Sequence, residues 1–324
     1  MSARSRLRAA IDDGALTLSS GEVTLVRPPA GYDLGDIAPE RVTIVHGFYP
    51  DVAAWRARGF TVEAEMARTT TAIVVVPRVK ALARDLVAQA AALADHVIVD
   101  GQKTDGVDGL FRDCRKALGA LPSVTADHGR LFWFAGTTAL DAWRLPPPSP
   151  NAAGFITTAG VFSSDGVDPA SALLAEALPP ALPRRMADLG AGWGFLAAAA
   201  LARSGVAQID LIEAEALALD CARRNITDDR ARFIWGDATR HVADMLYDGI
   251  VMNPPFHPGR APDAALGQAF IAAAARLLAP HGQLWMVANR HLPYEDALRR
   301  AFRRVEDIGG NAAFKIIHAA RPAR

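Results

Sequence analysis

The chain has 324 residues, 51% hydrophobic and 22% charged, and its 35 basic residues balance 35 acidic ones. This is enough apolar material for two separately cored domains and excludes a disordered chain. The zero net charge names neither a nucleic acid nor an acidic partner by itself. Two cysteines, Cys114 and Cys221, lie far apart and support neither a disulfide framework nor a zinc site, so a reducing cytoplasm and no metal are expected.

The opening stretch MSARSRLRAAIDDGALTL carries arginines, but Asp12 and Asp13 interrupt it before a signal-peptide core can form. The alanine-rich run GFLAAAALARSG is shorter than the roughly 20 apolar residues of a membrane span, so no membrane partner is expected. RVTIVHG, FTVEAE and TTTAIVVV then read as strands, with RVTIVHG as the first. A helix is predicted over 79–94, followed by DHVIVDG, a helix over 107–119 and the hairpin-like SVTADHGRLFWFA. The proline-rich RLPPPSPNAAG, 144–154, has no periodicity and reads as a linker, giving domains of 1–150 and 151–324.

Past the linker, strand and helix alternate strictly. RRMADLG leads into a helix from about 194, AQIDLIE into a helix over 215–225, and RARFIWGD and YDGIVMN into a helix over 263–279. GQLWMVAN, a helix over 294–303, and the closing strands RRVEDIGG and AFKIIHAA complete the domain. Such alternation predicts a doubly wound α/β domain with a parallel, Rossmann-like sheet and a terminal hairpin, and the first half repeats its rhythm faintly.

In MADLGAGWGFL a strand ends at Asp188, and Gly190, Gly192 and Gly194 precede a helix, where glycine lets backbone turn tightly and approach a ligand. Phe195 occupies the place where a dinucleotide fingerprint needs a small residue, which argues for a ligand without a pyrophosphate. Glu213 closes the next strand at the offset of a ribose-binding acid, and Asp237 ends the third. With strand order 3-2-1-4-5, the glycine corner neighbours the Asn253-Pro254-Pro255-Phe256 corner.

An exocyclic amine on a base is planar and a poor nucleophile. The Asn253 side-chain oxygen and the Pro254 carbonyl can each accept one N–H and favour a pyramidal nitrogen, while Phe256 offers a face for stacking. The plainer readings are a tight turn, a helix cap and a proline-rich loop.

DLGAGWG, LIEAE, GDA and MNPPF, in that order, resemble the class I S-adenosylmethionine-dependent methyltransferases acting on amino nitrogens. GVFSSDGVDPASALL, NPPFHPG and VANRHLPYEDAL look more closely like the ribosomal RNA guanine-N2 methyltransferases, of the kinds known as small-subunit methyltransferase C and large-subunit methyltransferase G. The resemblance implies two tandem domains with seven-stranded, mostly parallel sheets, the N-terminal copy degenerate. It implies S-adenosylmethionine as cofactor, with Gly190, Gly192 and Gly194 around its methionine part, Glu213 on its ribose, Asp237 on its adenine amine, and Asp188 and Asn253 alongside. Phe162, Asp165 and Asp168, in the loop before the first motif, and Pro255 and His257 are expected on the substrate side. Asn253, Pro254 and Phe256 are the expected catalytic residues.

The implied partner is ribosomal RNA or an immature ribosomal subunit, 16S ahead of 23S, and the chain is expected to act as a monomer. The first half, with VHGFYPD and VPRVK where the active copy has its motifs, is expected to support the second half and hold RNA through Arg4, Arg6, Arg8, Arg78 and Lys80. Competing readings are protein glutamine-N5 methylation, adenine-N6 methylation of nucleic acid, and a non-catalytic RNA-binding assembly factor.

Overall fold

A computed structural model describes residues 5–255 and 264–323. The chain divides into two compact units, Met1–Pro147 and Pro148–Arg324. No helix among the described residues is long and apolar enough to cross a membrane.

The first unit contains α1 (Arg6–Asp12), β1 (Val23–Val26), β2 (Val42–Val45), α2 (Tyr49–Ala57), β3 (Thr61–Glu63), β4 (Thr69–Val75), α3 (Lys80–Leu93), β5 (Ala94–Gln102), α4 (Val107–Leu118), β6 (Ser123–Ala126) and β7 (Gly129–Ala135). Its sheet runs β3-β2-β1-β4-β5-β7-β6, with β7 antiparallel to its neighbours. The first strand is therefore Val23–Val26, and the expectation that RVTIVHG comes first is corrected: Val42–Val45 is the second strand. VTLV escapes a periodicity reading because it has four residues, all buried, and no α-helix follows before β2. The corner facing the degenerate site is thus RPPAGYDLGD rather than VHGFYPD, and it begins with Arg27 at a φ of 53° instead of a glycine.

Among the residues expected to hold RNA, Arg6 changes role. Arg6 is buried and donates from Nε to Asp100 Oδ1 at 2.7 Å, so it is part of a core ion pair and not an RNA contact. Arg8 meets Asp36 at 3.3 Å, Arg78 meets Asp105 at 3.2 Å and Lys80 meets Asp113 at 3.0 Å. Each of these three stays exposed beside a neighbouring carboxylate; Arg4 lies outside the described residues.

The second unit opens with a two-stranded ribbon, β8 (Ser149–Pro150) and β9 (Ile156–Thr157), followed by α5 (Pro169–Ala177). The repeating part is β10 (Arg185–Leu189), α6 (Phe195–Leu201), β11 (Gln208–Glu213), α7 (Ala216–Asn225), β12 (Ala231–Trp235), β13 (Tyr247–Met252), α8 (Ala264–Leu277), β14 (Leu278–Asn289), α9 (Glu295–Ala301), β15 (Phe302–Gly310) and β16 (Phe314–Pro322). The order β12-β11-β10-β13-β14-β16-β15 is parallel up to β14 and closes with an antiparallel hairpin, the doubly wound topology expected.

Because the sheet is covered on both faces, its strands read as continuous apolar runs whose alternate side chains enter different cores. Ile250 and Met252 pack with Phe270, Leu277 and Leu298 from α8 and α9. Val251, between them, packs with Leu174, Leu196 and Leu219 from α5, α6 and α7. This double cover leaves the carboxyl ends of β10 to β13 as the place where loops can gather a ligand.

Candidate active site

β10 pairs with β13 in parallel, with Leu189 beside Met252. The chains leaving these strands are the glycine loop and the Asn253 corner, so the two corners expected to meet are side by side. A sheet with these strands on opposite edges would have ruled this chemistry out.

The glycine loop is held open by its own backbone. Gly190, Gly192 and Gly194 have φ of 74°, 55° and 95°, a region that other residues enter at a cost of about 1–2 kcal/mol. The Gly190 amide donates to the Ile212 carbonyl at 2.9 Å, tying the loop to β11, and Gly194 begins α6. A Cβ at Gly194 would come within 2.9 Å of Ile226, whereas one at Gly192 would meet nothing within 4 Å. Gly192 therefore borders open space, and Gly194 is required for packing.

Acidic groups stand at three successive strand ends. Asp188 is fully buried, and neither carboxylate oxygen makes a hydrogen bond of normal geometry. Burial pushes its pKa up to about 8; the nearby Ala197 amide opposes this rise and Glu213 adds to it. Glu213 accepts from the Gly192 amide at 2.8 Å and from the Glu215 amide at 2.7 Å, bracing the loop from below. Its pKa is also raised by burial, with those amides pulling the other way. Asp237 Oδ1 accepts from the Thr239 amide at 2.8 Å and the Thr239 hydroxyl at 2.6 Å, while Oδ2 lies 3.9 Å from Arg240.

Asn253 is anchored by its amide nitrogen. Nδ2 donates to Asp168 Oδ2 at 3.0 Å and to Ser171 Oγ at 2.9 Å, which fixes the orientation of the amide. Oδ1 is then buried with no donor, a costly state for a polar atom unless something else supplies an N–H. Pro254 is buried beside it and Pro255 exposed. Phe256 and His257 lie outside the described residues.

Of the residues expected from the preceding loop, Asp168 has a definite task. Its carboxylate caps α5 by accepting from the Ser171 amide at 2.8 Å and holds Asn253 at the same time, so it positions the asparagine. Phe162 is 63% exposed, and its carbonyl accepts from Trp193 Nε1 at 2.9 Å. Asp165 is exposed, and the Ser164 hydroxyl lies 3.5 Å from its carboxylate. The structure brings Asp168 to the asparagine corner and leaves the Asp165 side chain at the surface.

Three contributors escaped sequence reasoning. Ser171 shares the asparagine anchor; the Asp-Pro start of α5 is a cap signature that could have pointed to this turn. Asn225, at the end of α7, accepts from the Ile156 amide at 2.6 Å and donates to the Ile156 and Trp193 carbonyls, each at 2.9 Å. Trp193, in the glycine loop, packs between Phe155 and Phe195 with ring centroids 4.8 and 5.8 Å away. Together they clip the segment from 155 to 168 onto the glycine loop, and nothing in the local pattern around Asn225 announces that contact.

The set of acceptors suits a nucleoside with a cationic end. Acidic side chains on three neighbouring strand ends offer acceptors to ribose hydroxyls, an adenine amine or an ammonium group. The unpartnered oxygens of Asp188 and the free space over Gly192 fit S-adenosylmethionine, whose methionine part carries an ammonium beside its carboxylate and a sulfonium at the reacting sulfur. Among the described residues no cluster of three or more His, Cys, Asp or Glu could hold a metal ion.

The methyltransferase small domain family matches residues 152–318. The chain is similar to the ribosomal RNA small subunit methyltransferase C of Hahella chejuensis, 30% identical over 73% of this chain and 72% of that protein. It is also similar to the ribosomal RNA large subunit methyltransferase G of Shewanella amazonensis, 33% identical over 70% of this chain and 62% of the relative. Among solved structures, it resembles a 16S rRNA N2 methyltransferase of T. thermophilus in complex with AdoMet and guanosine. The TM-score is 0.79 and the identity 25%, over 98% of this chain and 92% of that one.

Proposed function

The chain belongs to the methyltransferase small domain family, and from that premise we propose that it methylates the exocyclic N2 amine of a guanine in ribosomal RNA, using S-adenosylmethionine. The observation that carries this reading is the buried, donor-free Oδ1 of Asn253 beside the glycine loop. The names of the similar proteins supply the guanine and the ribosomal RNA, and favour the RNA of the small subunit.

When bound, S-adenosylmethionine supplies an electrophilic methyl group on a sulfonium. Asp188 and Gly192 would border its methionine part, Glu213 would accept from the ribose and Asp237 Oδ2 from the adenine amine. Asn253 Oδ1 and the Pro254 carbonyl accept the two N–H of the guanine amine, which draws its nitrogen out of conjugation and aims the lone pair. Asp168 and Ser171 keep the asparagine from turning its amide over, since the reverse orientation would set oxygen against oxygen at Asp168. The methylated, cationic nitrogen is strongly acidic, so its proton passes along the same hydrogen bonds to water and no dedicated base is needed.

The first unit, with Arg27 where the active copy has a glycine, is proposed to support the second and to contribute to RNA binding. The proposed compartment is the cytoplasm and the proposed acting species a monomer. Transfer of tritium from labelled S-adenosylmethionine into immature ribosomal subunits, naked ribosomal RNA, DNA and release factors tests the reading. The expected product is N2-methylguanosine in RNA; label in a protein glutamine or an adenine overturns it.

A further inference from the structure

We propose that the first unit carries a second RNA site, a pocket for one unpaired nucleotide with a phosphate-binding shelf at its mouth. It lies at the strand-start end of the sheet, opposite the end where a doubly wound fold gathers its cofactor. The proposal rests on the reading of an RNA substrate.

A cleft of about 610 Å³ opens on this unit, within the size range of small-ligand sites. Cross-strand register explains its walls. Thr71, His96 and Ala135 stand side by side across β4, β5 and β7, and Ile98 pairs with Trp133 one step along the same face. The other face is sealed by α3 and α4, through Val87, Leu110 and their neighbours. On this face the chain following the seven-residue α1 supplies Leu16, Thr17 and Leu18 to the wall of the cleft, which stays open to solvent.

The lining combines a flat indole and aliphatic side chains with an exposed imidazole and threonine hydroxyls. A base can stack on the first set and hydrogen-bond to the second, as single-stranded nucleic acids do on aromatic platforms.

The mouth supplies the charge. Ala120 lines both this cleft and an adjoining shelf formed by Arg112, Arg115 and Lys116. These three residues stand three and four positions apart on one exposed side of α4. Among the described residues none of them has a carboxylate within ion-pair distance, whereas Arg6, Arg8, Arg78, Lys80 and Arg130 are all paired. Three uncompensated cations next to a stacking cleft match a phosphate backbone with one base turned inward. An acidic protein segment would satisfy the shelf but leave the cleft unexplained.

The test uses the full chain and a protein-free ribosomal RNA fragment that the wild type methylates. Arg112→Ala/Arg115→Ala/Lys116→Ala is expected to weaken RNA binding and to lower the slope of log affinity against log salt by about 2, at ~0.7 per phosphate released. Trp133→Leu should weaken binding roughly tenfold, while Trp133→Phe, which still stacks, stays near the wild type. For the triple variant and Trp133→Leu, KM for RNA carries the loss, with kcat at saturation and S-adenosylmethionine affinity unchanged. RNA containing a photoreactive base should cross-link to the lining of the cleft or shelf, at residues such as Thr17, His96, Trp133 and Arg115.

Unchanged affinity and slope in the triple variant, or a cross-link elsewhere, overturns the proposal even if methylation of RNA is established. A loss of affinity for assembled subunits but not for naked RNA assigns the surface to a protein and overturns it too. A wild type that methylates no RNA removes the underlying reading together with this site.

Discussion

Replacing Asp168 with alanine should separate two things its carboxylate does at once. One oxygen accepts both the Ser171 amide and the Asn253 side chain, at 2.8 and 3.0 Å. Losing the cap on α5 costs about 1 kcal/mol. Losing a charge-assisted acceptor for a partly buried amide costs about 1.5 kcal/mol, the low end of its range because Asp168 is half-exposed. Two to three kcal/mol of stability should disappear, lowering the melting temperature of a unit this size by roughly 4–12 °C. Asn253, left with Ser171 alone, can then rotate, and misorienting one acceptor at the reacting nitrogen should lower kcat by at least tenfold, or ~1.4 kcal/mol.

The double variant discriminates these effects. If Asp168 acts on catalysis through Asn253, adding Asp168→Ala to Asn253→Ala should cost further stability but almost no further kcat. Single-turnover methyl transfer and thermal melting of the four proteins provide the measurement. Equal, additive losses of kcat in both backgrounds would refute the anchoring role. A melting shift with unchanged kcat would refute it as well.

Asn253→Ala alone should reduce kcat by about a hundredfold, with S-adenosylmethionine affinity barely moved, as read by single-turnover kinetics and calorimetry. Gly192→Val should do the reverse: its side chain meets open space inside the fold but forces a φ of 55° and fills the cleft, so cofactor titration should show no binding in a protein that still folds. Asn225→Ala removes three hydrogen bonds and should cost about 2–3 kcal/mol in denaturant unfolding, with weaker cofactor binding as the segment from 155 loosens from the glycine loop. Asp188 has a folded-state pKa raised to about 8, so its stabilising contribution is full below the ordinary carboxylate range and is lost as the pH rises through about 8. Asp188→Asn should flatten that part of the cofactor-free stability-against-pH curve, and an unchanged slope would show that the buried carboxylate does not titrate there.

Much of the second unit was legible along the chain because its determinants are local. Strand runs such as YDGIVM are apolar without a break because both sheet faces are covered, and GFLAAAAL begins where three glycines permit positive φ. Asn253-Pro254-Pro255 announces itself because two prolines cannot extend a ladder. What no local pattern could show is that Leu189 and Met252 are neighbours, that Asp168 grips Asn253 across 85 positions, or that Asn225 reaches Ile156 across 69. In the first unit, Val23–Val26 was too short to read, and Arg6 looked like a surface charge until Asp100 met it in the core. Period and turn chemistry act over a few residues and are written in the sequence. The pairing of side chains from distant elements depends on sheet order and register, which exist only once the whole chain has closed around its cores.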